Sequence, residues 1–126
     1  MRTQINLRSG NKTRRAKMEN KFIPYPKQIK VGGQRIEVHD VERCDDDNAG
    51  MAFACSGYVE IADKFRKEGV QSPDSKRNTF FHEMIHCILY NMGEYELNDN
   101  EKFVSSFAGF LTEAMADAKF IDKEGE

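Results

Sequence analysis

The segment Ser72–Gly93, "SPDSKRNTFFHEMIHCILYNMG", constrains this chain more than any other stretch. Serine followed by proline is a helix start. The serine side chain can cap free amides, and proline in the first turn gives up an N–H that would have no partner there. Gly93 is a natural stop, because glycine readily takes the left-handed conformation that closes a helix. No glycine or proline interrupts residues 74–92. The spacing therefore predicts one long helix from about Pro73 to Met92, which has to bury a side against something else. With His82 taken as the origin and about 100° added per residue, Leu89, Ile85, Met92, Phe81, Ile88 and Met84 fill an arc from about 340° down to about 200°. His86 falls at about 40°, Glu83 at about 100° and Cys87 at about 140°. The histidines are expected at the edge of the buried stripe, with Glu83 further round and away from the core. Cys87 is expected to be structural.

The residues before this helix read as strands. "QIKVGGQRIEV" alternates apolar and polar residues on both sides of Gly32-Gly33, which suits a two-residue primed turn and pairs Ile29 with Ile36. "CDDDNAG" lacks the spacing of a calcium loop and is read as a turn. "MAFACSGYVEIA" gives two short apolar runs around Ser56-Gly57, a second hairpin or a bent strand. The strand near Tyr58–Ile61 is expected to be an exposed edge. After Gly93, a second helix should start near Asn98–Asn100 and run to about Lys119, with Phe103, Val104, Phe107, Ala108, Leu111, Ala114 and Met115 at helical spacing. The expected fold class is α+β: a short β-sheet of two hairpins packed on the long helix and a second, C-terminal helix.

At 126 residues there is room for one domain with one modest core. The expected division is a flexible basic leader at 1–21 and a single domain at 22–126. Residues 1–35 hold ten Lys/Arg against one acid, Glu19; the remaining nine Lys/Arg face twenty acids. Such an asymmetry suits either a solvated tail or an arm that meets nucleic acid or an acidic partner. No stretch is long and apolar enough to cross a bilayer, and the basic N-terminus lacks the apolar core of a signal peptide. Cys44, Cys55 and Cys87 are odd in number and form no CxxC pair, which points to reduced thiols in the cytoplasm.

The long helix carries His82-Glu83-Met84-Ile85-His86, the pattern HExxH. Two imidazoles one turn apart can reach one Zn2+, and a glutamate beside the first can reach a metal-bound water without being a ligand. The bland alternative is a helix whose histidines merely line its solvent edge. A catalytic zinc needs a third protein ligand and one open position. Glu101, in the first turn of the second helix, is the leading candidate. Asn98-Asp99-Asn100-Glu101 also fits a capping box, in which Glu101 would fold onto the cap amide. His39, Glu94, Glu96 and Asp99 are the remaining candidates.

"TFFHEMIHCILYNMG" followed by "NEKFVSSFAGFL" resembles the small gluzincin metallopeptidases, in particular the ImmA/IrrE-like and related minimal zincins of phages and bacteria. The resemblance covers roughly residues 28 to 115. It implies that His82 and His86 are metal ligands, that Glu83 is the catalytic base, and that Glu101 is the ligand glutamate. The expected function is zinc-dependent hydrolysis of peptide bonds, Glu83 activating a zinc-bound water, with a peptide or protein as substrate and no membrane partner. Two alternatives belong to other classes. One is a non-catalytic zinc-binding module whose basic N-terminal arm contacts nucleic acid or a protein partner. The other is an interaction protein without metal.

Overall fold

The computed structural model describes residues 25–67 and 69–121. The leader at 1–21 lies outside them. The architecture is α+β. Strands β1 (Gln28–Val31), β2 (Gln34–Val41), β3 (Gly50–Phe53) and β4 (Tyr58–Ala62) form one sheet, and β5 (Lys64–Phe65) pairs with β6 (Gly69–Val70) in a two-stranded ribbon. Helices α1 (Pro73–Met92), α2 (Tyr95–Asn98) and α3 (Glu101–Asp117) follow.

Both hairpins form. Gly32 and Gly33 have φ of 57° and 82°, as a primed turn needs, and Ile29 faces Ile36. In the second hairpin, β3 and β4 are antiparallel with Phe53 opposite Tyr58, joined through a short 3-10 turn and Gly57. The two hairpins then join through a parallel pairing of β2 with β4, giving the order β1-β2-β4-β3. The expected edge at Tyr58–Ile61 is thereby corrected. β4 is interior and paired on both sides, and among the described residues the edge beside it is β3. Alternation within a single hairpin cannot show this, because it says nothing about which strand of one hairpin meets the other.

Helix α1 starts and stops where its sequence predicts. Ser72 Oγ accepts from the Ser75 amide at 3.1 Å, and Pro73 occupies the first turn. Gly93 is left-handed, with its own amide bonded to the Tyr90 carbonyl and the Glu94 amide to that of Leu89, both at 3.0 Å. Gln71, buried just ahead of the helix, ties it to the sheet. Its amide nitrogen donates to the Ala49 and Ala62 carbonyls, and its oxygen accepts from Ser75 and Thr79. A buried amide satisfied on both ends holds β3 and β4 in fixed register with the start of α1.

The helix is buried on two opposite sides, not one. Towards the sheet, Cys87 packs with Val31, Ile36 and Val59. Towards α3, Ile85 and Leu89 pack with Val104 and Ala108. This corrects the placement of Glu83. The single-stripe expectation set it away from the core, whereas it is only 7% exposed, on the side that β3 covers. Gly50 is what lets β3 come so close. A Cβ there would lie 2.4 Å from Thr79 Cγ2, 3.0 Å from the Glu60 carbonyl oxygen and 3.2 Å from Glu83 Cγ. Cys87 is fully buried, and burial pushes its thiol up to about 11. That is the state of an inert core thiol.

Candidate metal centre

Two turns of α1 and the first turn of α3 meet at an open cleft beside β3. His82 and His86 stand one above the other on α1, their rings 5.0 Å apart. The tight turn at Gly93 and the single-turn α2 return the chain so that Glu101, the first residue of α3, faces them. His82 Nε2 lies 3.2 Å from Glu101 Oε1, and His86 Nε2 lies 3.2 Å from Glu101 Oε2. Glu101 is therefore not folded onto a helix cap. Asn100 is the cap of α3, its side chain accepting from the Phe103 amide at 3.0 Å.

The ligand atoms of His82, His86 and Glu101 all lie within 4.8 Å of one another. Metal bonds of about 2.0–2.1 Å in a tetrahedron put neighbouring donors about 3.3 Å apart, so the 3.2 Å separations suit one small cation. Two imidazoles and a carboxylate are also the donor set of a catalytic zinc, with a fourth position left for water or substrate.

His39 does not join this cluster. It sits on β2, bonded to Glu37 at 2.9 Å and stacked on Tyr58. Glu94, Glu96 and Asp99 also lie outside the group of three. Among the described residues, Glu83 forms no ion pair. It lines the cleft together with His82, His86 and Glu101. Burial, and secondarily the Glu101 charge, raises its carboxyl from 4.5 to about 8. Burial also lowers His82, and the neighbouring His86 adds to this. Neutral imidazole is the form that binds a metal.

Comparison with protein-family models, with curated proteins and with solved structures finds no match.

Asn98 is a site residue that the sequence does not reveal, because its pattern there fits a helix cap. Its Oδ1 accepts from His86 Nδ1–H at 2.5 Å, which leaves Nε2 free to face Glu101. Such a partner fixes both ring orientation and tautomer, and removing one usually weakens metal binding about 10- to 100-fold. If the three donors hold zinc, Asn98→Ala loses affinity for it in that range, while Asn98→Asp keeps the acceptor and most of the affinity. Isothermal titration with zinc on both variants checks it. The only sequence signal was the position of Asn98 on the turn leading to Glu101. Tyr90 lines the same cleft, with its hydroxyl 2.7 Å from Cys55 Sγ.

Proposed function

We propose that this chain is a zinc-dependent metallopeptidase. The observation that carries the reading is the Glu101 carboxylate set 3.2 Å from both histidine Nε2 atoms, with the buried Glu83 lining the same open cleft. His82, His86 and Glu101 would hold the metal. A bound zinc supplies a Lewis acid for the substrate carbonyl and makes water a stronger acid.

The remaining steps fall to the protein's own groups. Glu83 takes the proton of the attacking water and returns it to the departing amine. In the metal-free chain, burial raises this carboxyl to about 8, so it holds a proton at neutral pH and is free to accept one only once its value is lowered. A nearby divalent cation would draw that value down again. Strand β3 supplies the place for substrate. Its outer edge pairs with no strand among the described residues, and it forms one wall of the cleft. An extended peptide could add there by main-chain hydrogen bonds, its scissile bond alongside the histidines. The open cleft suits a flexible chain better than a compact small molecule.

Among the described residues no helix is long and apolar enough to cross a membrane. The three cysteines are unpaired thiols, which supports a reducing, cytoplasmic setting. The non-catalytic zinc module would be favoured by a missing third donor or a Glu83 ion pair, and neither is found among the described residues.

Glu101→Gln tests the donor set. Glutamine keeps the shape and can still bond to the histidines, but it is a much poorer zinc ligand than a carboxylate. The apo protein should melt within a few degrees of the parent while zinc affinity falls at least about 100-fold, beyond the roughly 10- to 100-fold typical of losing only a ligand's outer hydrogen-bond partner. A Gln variant that holds zinc like the parent rejects Glu101 as ligand.

A further inference from the structure

We propose that α3 is the contact surface of a homodimer, a second copy of the chain covering Phe107 and Phe110 by antiparallel helix packing. The proposal stands apart from the metal reading. With Glu101 taken as the origin, Val104 and Ala108, buried against α1, lie at about 300° and about 340°, and Phe103, at about 200°, is half-buried against the same cluster. Phe110, Phe103, Ala114 and Phe107 lie between about 180° and about 240°. The apolar face of α3 thus extends past the part its own domain buries, to Phe107 and Phe110. Phe107 is 48% exposed and Phe110 71% exposed. Two adjacent exposed aromatic side chains on one helix face are the kind of patch that marks an interface, unlike single exposed apolar residues.

The charges beside this row select the partner and its direction. Lys102, Glu113 and Asp117 lie at about 100°, about 120° and about 160°, all on the same flank. All three are exposed, and none forms an ion pair among the described residues. The basic residue is at one end of the helix and the acidic pair at the other. A two-fold axis crossing α3 between Ala108 and Gly109 makes the helices antiparallel and brings like flanks together. Phe107 then falls opposite Phe110 of the second copy, and Phe103 opposite Ala114. Lys102 falls between Glu113 and Asp117. A parallel arrangement would need the other flank, which α1 already occupies. The same helix surface is therefore complementary to itself in one orientation.

Sedimentation equilibrium of the full chain, from about 1 µM to about 1 mM, reads the association constant. The expected result is a concentration-dependent rise to twice the 14.5 kDa chain mass. Phe110→Glu should weaken dimerisation at least tenfold with unchanged circular dichroism. Lys102→Glu should weaken it too, and adding Glu113→Lys and Asp117→Lys to that variant should restore it. Because the charge variants touch no packed side chain, they keep the test open if Phe110→Glu misfolds. A parent that stays monomeric throughout overturns the proposal, whatever else covers the row. So does a dimer that Phe110→Glu and Lys102→Glu leave intact, or a charge reversal that fails to rescue.

Discussion

In saturating zinc, His82→Ala and His86→Ala should each melt far below the parent. A ligand that binds only the folded state stabilises it by RT ln(1 + [L]/Kd), about 4 kcal/mol at a thousandfold excess over Kd. For a domain of this size that corresponds to roughly 15 °C or more in Tm. Either substitution leaves two of the three donors grouped in the cleft and should forfeit nearly all of that increment. The diagnostic quantity is the rise in Tm on adding zinc, measured by calorimetry for each protein against its own chelated form. That subtraction removes any packing cost of the alanine itself. An undiminished zinc-induced rise in either variant would mean that the metal, if bound, sits elsewhere.

Glu83→Gln should separate two roles of one residue. Burial raises the Glu83 carboxyl to about 8 in the folded, metal-free chain, against an ordinary 4.5. The folded state therefore holds the proton more tightly than the unfolded state. The stability this confers is fully present below about pH 4.5 and is lost as pH rises through about 8. Glutamine cannot ionise and avoids that loss. In chelator at pH 9, the variant should be more stable than the parent by roughly 3 to 5 kcal/mol, and near pH 5 the two should nearly coincide. Urea denaturation at the two pH values measures both differences. A pH-independent difference would mean that the carboxylate is solvated after all. Because Glu83 is not among the grouped donors, the variant should still bind zinc. A residue kept at a cost to stability, without a role in holding the metal, is what a strained functional position looks like.

Local signals were legible in the sequence wherever a single element decides them. The Ser72-Pro73 start, the Gly93 stop and the Gly32-Gly33 turn each depend on a few neighbouring residues, and each forms where it was read. The side-by-side histidines follow from helical spacing alone. What the sequence concealed depends on contacts between distant segments. Glu83 falls outside the single apolar arc of the helical wheel, but α1 is covered by the sheet on one side and by α3 on the other, and the sheet side buries it. Gly50 looked like a loop residue, and only the packed structure shows that its missing side chain admits Thr79 and Glu83. The exchange of edge between β4 and β3 rests on a parallel pairing between hairpins. Asn98 was hidden for a similar reason: its partner His86 is twelve residues away and reached only after the chain has turned back.

The most direct measurement of the central claim is cleavage of a peptide library of defined sequences, read by mass spectrometry, by zinc-loaded parent and zinc-loaded Glu83→Gln. The parent should cleave a subset of the peptides. The variant, holding the same one zinc per chain, should be slower by about 100-fold or more, the usual contribution of a general base. A zinc-loaded parent that leaves every peptide intact, or a Glu83→Gln variant that cleaves at the parental rate, would contradict the account.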